Sequence, residues 1–192
     1  AAHPAIDATT FTGSTGVGRR IAATAAARGV PVQAEMGGKN AAVVLDDADF
    51  DLALDQVMLG AFRSTGQKCT ATSRLIVTDP IADRFVQALT DRAAALAVGD
   101  PSDDATQMGP VISDAAQAGI TAGIRAAVAQ GGSVLTGGGP YAEGLLAEGY
   151  FIAPTVVELT QPADIWTEEL FGPVLAVRRA DDADHAFALA ND

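Results

Sequence analysis

A single cysteine, Cys69, stands in the stretch F-R-S-T-G-Q-K-C-T-A-T-S-R between Phe62 and Arg74. Gly66 precedes it by one short turn and leaves room for a carbonyl substrate to approach. Small and hydroxylated residues, Thr70 to Ser73, follow. A thiolate held at such a junction is a candidate nucleophile, and the neighbouring cation of Lys68 favours that ionised form. A lone cysteine also reads as a small buried hydrophobe, and this stretch alone leaves both readings open. Upstream lies Q-A-E-M-G-G-K-N, from Gln33 to Asn40. Glu35 follows the apolar alternation Val30, Val32, Ala34, so it ends a strand beside a glycine pair, where a carboxylate is a candidate general base.

Two further stretches carry binding chemistry. F-T-G-S-T-G-V-G, from Phe11 to Gly18, opens a helix. Backbone amides at such a helix start can face a phosphate, and Ser14 adds a hydroxyl donor. The G-x-G-x-x-G fingerprint is not met, and an ordinary glycine-rich helix start has the same wording. E-E-L-F-G-P-V, from Glu168 to Val174, offers Glu169 and Phe171, which otherwise read as a capping acid and a core aromatic.

In this order and spacing the four stretches resemble the aldehyde dehydrogenase superfamily, over essentially the whole chain. The resemblance implies that Cys69 is the nucleophile and Glu35 the base that activates the deacylating water. It implies a nicotinamide dinucleotide, NAD or NADP, with its pyrophosphate on Gly13, Ser14 and Gly18. Glu169 would bond the nicotinamide-side ribose hydroxyls, with Phe171 packed near that end. One oxyanion donor would be the Cys69 N–H. The family's other donor, an asparagine, and its NAD-versus-NADP discriminator correspond to positions before Ala1. The substrate is then an aldehyde. The motif wording is closest to α-ketoglutaric semialdehyde dehydrogenases and next to succinate semialdehyde dehydrogenases, with Arg63 a candidate partner for a substrate carboxylate. Relatives that transfer the acyl group to coenzyme A lack the glutamate matching Glu35, so its presence favours hydrolysis. A non-catalytic protein of the same fold is the remaining alternative. A homo-oligomer, dimer or tetramer, in the cytoplasm is the implied setting.

The elements around these stretches alternate. Ile6–Phe11 and Val30–Glu35 read as strands flanking an alanine-rich helix, Val17–Arg28, that ends at Gly29. Asn40–Leu45 reads as a buried parallel strand. Phe50, Leu54, Val57, Met58, Ala61 and Phe62 recur at helical spacing, so Asp49–Ser64 is an amphipathic helix that delivers Cys69. A strand at Arg74–Thr78, a helix from Pro80 to Leu96 and a helix from Ser113 to Gln130 follow. Strands are expected at Ser133–Thr136, Tyr150–Leu159 and Val174–Val177, the second bent or at an edge because of Pro154. A helix over Asp181–Asn191 closes the pattern. The fold class is α/β, a mainly parallel sheet of an aldehyde dehydrogenase-like catalytic domain with the tail of a Rossmann-type cofactor domain. Residues 1–35 are expected to be that tail and 36–192 the thiol domain, truncated at its C-terminus, so the chain reads as a fragment.

Composition narrows the classes. The 192 residues are 48% hydrophobic, enough for a substantial core. A net charge of −12, from 24 acidic and 12 basic residues, argues against nucleic acid and anionic membranes as partners. One cysteine excludes an internal disulfide and suits a reducing compartment. No apolar run approaches the roughly 20 residues of a membrane span. Neither a histidine pair nor a cysteine cluster suggests a metal. His3 and His185 lie far from the four stretches. The acidic run Asp46, Asp47, Asp49 and Asp51 reads as a solvated helix start favoured by the dipole.

Overall fold

A computed structural model describes residues 1–192, which divide into two compact units, Ala1–Gly38 and Lys39–Asp192. The first is a βαβ unit. Strand β1 (Thr9–Thr12) and strand β2 (Val32–Glu35) pair in parallel, with Thr12 opposite Glu35, and helix α1 (Thr15–Arg28) connects them. Gly29 ends α1 in the left-handed conformation, and its N–H returns to the last turn. The expected strand start at Ile6 does not form. Arg28 takes the carbonyls of Ala1, Pro4 and Ile6 instead, which holds that segment in a non-strand path.

The second unit is a five-stranded sheet with helices on both faces. Its strands are β3 (Asn40–Val44), β4 (Thr72–Thr78), β5 (Ser133–Thr136), β6 (Thr155–Glu158) and β7 (Val174–Ala180), in the order β3-β4-β7-β6-β5. All pairs are parallel except β5–β6. Central strands covered on both faces carry near-continuous apolar runs, as Leu75–Val77 of β4 and Val174–Val177 of β7 do. In β4, Leu75 and Val77 meet helices α2 (Phe50–Phe62) and α3 (Asp79–Ala94), while Ile76 meets the opposite layer. That layer is built from α4 (Asp114–Ala129), α5 (Asp164–Thr167) and α6 (Ala183–Ala190). Full burial of side chains such as Phe85, Leu89 and Leu175 contributes about 1.5–3 kcal/mol each.

Helix starts follow the sequence signals. Asp49 caps α2 by accepting from the Leu52 N–H, and Ser113 caps α4 by accepting from Ala116. Three expectations change. α2 stops at Phe62 rather than Ser64, because the chain there turns left-handed. β3 is an edge strand whose first residues are exposed, not a buried one. β6 is interior and starts only after Pro154, since a proline cannot donate to the ladder. No helix is long and apolar enough to cross a membrane.

Candidate active site

In the second unit the site is built from three segments that lead into β3, β4 and β7. These strands are parallel neighbours, so the segments preceding them share one edge of the sheet, the amino edge. The central segment starts where α2 ends. Ser64, Thr65 and Gly66 all have positive φ, of 56°, 59° and 66°. Such a conformation costs of order 1–3 kcal/mol in a non-glycine residue and persists only where its surroundings impose it. Here they do. Thr65 is buried and its hydroxyl donates to the Gly109 carbonyl at 3.2 Å. Gln67 accepts from the Ile112 N–H at 2.9 Å. The strained turn reverses the chain and presents Cys69 on a β-turn closed by the Ala71 N–H to the Lys68 carbonyl at 3.0 Å. Cys69 is exposed, which removes the buried-hydrophobe reading. Lys68 is exposed beside it and takes part in no salt bridge.

The segment before β7 carries Glu169 and Phe171. A Cβ at Gly66 would overlap the Gly172 carbonyl, so the two motifs pack backbone against backbone and only glycine fits between them. Leu170 occupies the space left by Gly123 of α4, and Ile120 fills the space over Gly172. Phe171 is not in the core. It has φ of 51° and is 44% exposed, a strained aromatic presented outward from a seated turn. Glu169 is exposed and attracts the ammonium of Lys39, at the entrance to β3.

The first unit brings together the other two motifs. Pairing of β1 with β2 places the Gly13 N–H on the Glu35 carbonyl at 3.0 Å. The Glu35 carboxylate is exposed and accepts from Gln33 at 3.3 Å. Ser14 is the N-cap residue of α1 without making a side-chain cap bond, and no acid stands in the first turn. Phe11 packs where a Cβ on Gly13 would lie, and Met36 packs over Gly18, while Gly16 is open.

The aldehyde dehydrogenase family profile matches residues 1–192. The chain belongs to the aldehyde dehydrogenase family. It is 42% identical over 193 residues to the α-ketoglutaric semialdehyde dehydrogenase of Bacillus subtilis (strain 168), covering 100% of this chain and 40% of that protein. It is 42% identical over 190 residues to the betaine aldehyde dehydrogenase of Rhizobium leguminosarum bv. trifolii (strain WSM2304), covering 98% and 39%. Among solved structures, a betaine aldehyde dehydrogenase point mutant from Staphylococcus aureus, in complex with NAD+ and with a BME-modified cysteine, superposes with a TM-score of 0.95. Identity to it is 38%, over 99% of this chain and 39% of that one. The chain thus spans about two fifths of the length of these relatives.

Several residues of this aldehyde dehydrogenase chain escape sequence reading. Thr65, Gln67 and the 109–112 loop form the frame of the Cys69 turn, and nothing in their spacing announces it. Gly123 carries a signal. A glycine inside a helix costs about 1 kcal/mol relative to alanine and so calls for a packing reason, which Leu170 supplies. Arg63 lines a groove between α2 and α3 with Asp55, Met58, Phe62, Arg92 and Gln107, and Cys69 is not part of that lining. His185, near the start of α6, pairs with Asp181 at 3.1 Å. No group of histidine, cysteine and acidic side chains could hold a metal.

Burial, with Arg74 nearby, lowers the Lys39 pKa to about 8, against the opposing pull of Glu169. Between about 8 and 10.5 the unfolded chain therefore binds a proton that the folded chain has released. Stability rises with pH across that window, and below it the cost of the buried charge is fully present. Lys39→Met should accordingly stabilise the protein near neutral pH by roughly 1–3 kcal/mol and flatten the rise above pH 8. Denaturant titrations of both proteins across this range check it. Parallel stability profiles would show that Lys39 keeps an ordinary pKa.

Proposed function

We propose that the polypeptide carrying this chain oxidises an aldehyde to a carboxylate, with Cys69 as nucleophile and NAD or NADP as cofactor. The observation that carries the reading is the exposed thiol on a turn held by a strained left-handed segment, since strain of this kind gathers at functional sites. The BME-modified cysteine and the NAD+ of the Staphylococcus aureus structure support it by similarity. On this reading residues 1–35 are the tail of the cofactor domain and residues 36–192 the thiol domain, a division supported by two compact units that part after Gly38.

The chain's residues fit the cofactor at the start of α1. The first-turn amides are uncapped by any side chain, the Ser14 hydroxyl makes no cap bond, and Gly16 leaves the surface clear. An anion is favoured there by both the open N–H groups and the helix dipole. Ser14 and the open first-turn amides would hold the pyrophosphate, while Gly13 and Gly18, whose own N–H groups are taken by the Glu35 and Ser14 carbonyls, shape the turn rather than donate. Glu169 would hold the ribose hydroxyls and Phe171 the face beside them. When bound, the dinucleotide supplies the hydride acceptor for the oxidation.

The chain's own work is addition, stabilisation and hydrolysis. The Cys69 thiolate forms a C–S bond to the aldehyde carbon, and the carbonyl pair moves onto oxygen. The Cys69 N–H, which donates to no other group, is free to hold that oxyanion. Loss of hydride from the same carbon leaves a thioester on Cys69. Glu35 takes a proton from water as the hydroxyl adds to the thioester carbon. The C–S bond then breaks and returns the electron pair to sulfur, leaving a carboxylic acid that ionises. Glu35 argues for this hydrolysis over transfer to coenzyme A.

For the substrate we propose a semialdehyde such as α-ketoglutaric semialdehyde, on motif wording and the Bacillus subtilis relative. Arg63 lends this no support from its groove, and relatives at similar identity act on betaine aldehyde. An exposed free thiol suits the reducing cytoplasm, and a dimer or tetramer is the assembly the family suggests. Ile112 and Leu145, 80% and 84% exposed, are apolar surface available to it. The test is a panel of semialdehydes and amino-aldehydes supplied with NAD or NADP, followed by NAD(P)H formation and by mass spectrometry of the Cys69 peptide. Turnover with an acyl adduct on Cys69 is expected, with kcat/KM highest for the keto-acid semialdehyde. Absence of both turnover and adduct across the panel would refute the enzymatic reading.

A further inference from the structure

We infer that Asn40 is a positioning residue for the nucleophile, clamping the turn that carries Cys69. The proposal rests on the reading of Cys69 as the nucleophile. Asn40 opens β3, and its side-chain amide nitrogen donates to two carbonyls of the Cys69 turn, that of Cys69 itself at 2.7 Å and that of Ala71 at 3.0 Å. The turn has one internal hydrogen bond, Ala71 N–H to Lys68 carbonyl. Asn40 supplies the rest. Fixing the Cys69 carbonyl fixes ψ of Cys69, and with it the direction in which the Cα–Cβ bond carries the sulfur. Fixing the Ala71 carbonyl ties the far end of the turn to the same point.

The backbone that carries this side chain is itself held from behind. The β3–β4 pairing passes from Asn40 opposite Thr72 to Ala41 opposite Arg74, so Ser73 is an extra, bulged residue. Bulges next to active sites re-aim side chains. Here the Ser73 hydroxyl donates to the Asn40 carbonyl at 3.4 Å, and Arg74 Nε donates to the Lys39 carbonyl at 3.0 Å. The strand that follows Cys69 thus grips the backbone whose side chain grips the Cys69 turn. The chemistry needs a side chain of this length with two N–H donors on one atom. Aspartate has the same shape but only acceptors, which would face two carbonyl oxygens. Serine offers one donor on a shorter arm.

The experiment compares Asn40→Ala, Asn40→Asp and Asn40→Ser in the whole polypeptide that carries these residues. Three readouts are taken: the rate of Cys69 alkylation by iodoacetamide as a function of pH, kcat and KM for aldehyde and NAD(P), and the melting temperature. Small misplacements of a reacting group cost up to about 100-fold. Asn40→Asp should lower both the alkylation rate and kcat by roughly 10- to 100-fold, more than Asn40→Ala. Asn40→Ser should recover part of the loss, with KM for NAD(P) and the melting temperature little changed in all three. The proposal is overturned if Asn40→Asp alkylates and turns over within about twofold of the parent. It is equally overturned if all three variants lose melting temperature and NAD(P) affinity in step with rate, which is the behaviour of a merely structural residue. Alkylation reads the position of the Cys69 sulfur whether or not Cys69 is the nucleophile. Altered alkylation with unaltered turnover would therefore sink the catalytic reading and leave the clamp standing.

Discussion

Replacing Cys69 by serine is expected to abolish turnover, by at least about a thousand-fold in kcat, while NAD(P) affinity stays within about twofold. An unactivated alcohol is a far weaker nucleophile than a thiolate, and its ester is a poorer acyl donor to water than a thioester. Cofactor binding should persist because the uncapped start of α1 is built from Thr12, Gly13, Ser14 and their β2 neighbours, not from Cys69. The serine side chain fits the same exposed turn, so folding should be unaffected. Turnover measured beside a dinucleotide-binding titration separates the two effects. Near-parental turnover in the serine variant, with Cys69 of the parent inert to iodoacetamide, would remove the nucleophile assignment.

Glu35→Gln is expected to split the reaction in time. If Glu35 serves only the hydrolytic half, acylation of Cys69 proceeds and deacylation stalls. A burst of NAD(P)H near one equivalent per site should then be followed by a steady rate lower by about 100- to 10,000-fold, the range a general base contributes. Glutamine can still receive the Gln33 amide on its own carbonyl, so the end of β2 should hold its shape. Rapid-mixing kinetics check this, with mass spectrometry of the quenched protein for the acyl adduct. Equal loss of burst and steady rate would point to a role before acylation, in forming the thiolate.

Much of this was legible in the residues themselves. The 3.6-residue spacing along α2, the continuous apolar runs of β4 and β7 and the punctuation by Gly29 and Pro80 are local properties, and local properties report local structure. They yielded the α/β class, the helix that delivers Cys69 and the parallel sheet. The motif around Cys69 named the candidate chemistry because reactive residue types are rare and their flanks are short. The misread boundaries have one cause each, all of them non-local. Arg28 drew the Ile6 carbonyl away from a strand. Thr65 was carried into a left-handed turn by its bond to Gly109, 44 positions along the chain. β3 was set at an edge by a strand order that its own apolar residues do not encode.

What only the tertiary structure decided is which groups surround the thiol. Pairing of β3 with β4 brings Asn40 to a carbonyl 29 positions away. Pairing of β4 with β7 brings the turn of Glu169 and Phe171 against Gly66. Both meetings occur at the amino edge of the parallel strands, whereas ligands of open α/β sheets ordinarily lie beyond the carboxyl ends. Sequence spacing cannot foretell this, because strand order and register are settled by how two apolar layers cover the whole sheet at once. Chain neighbours declare themselves through period and propensity. Neighbours across a sheet exist only after the sheet has formed.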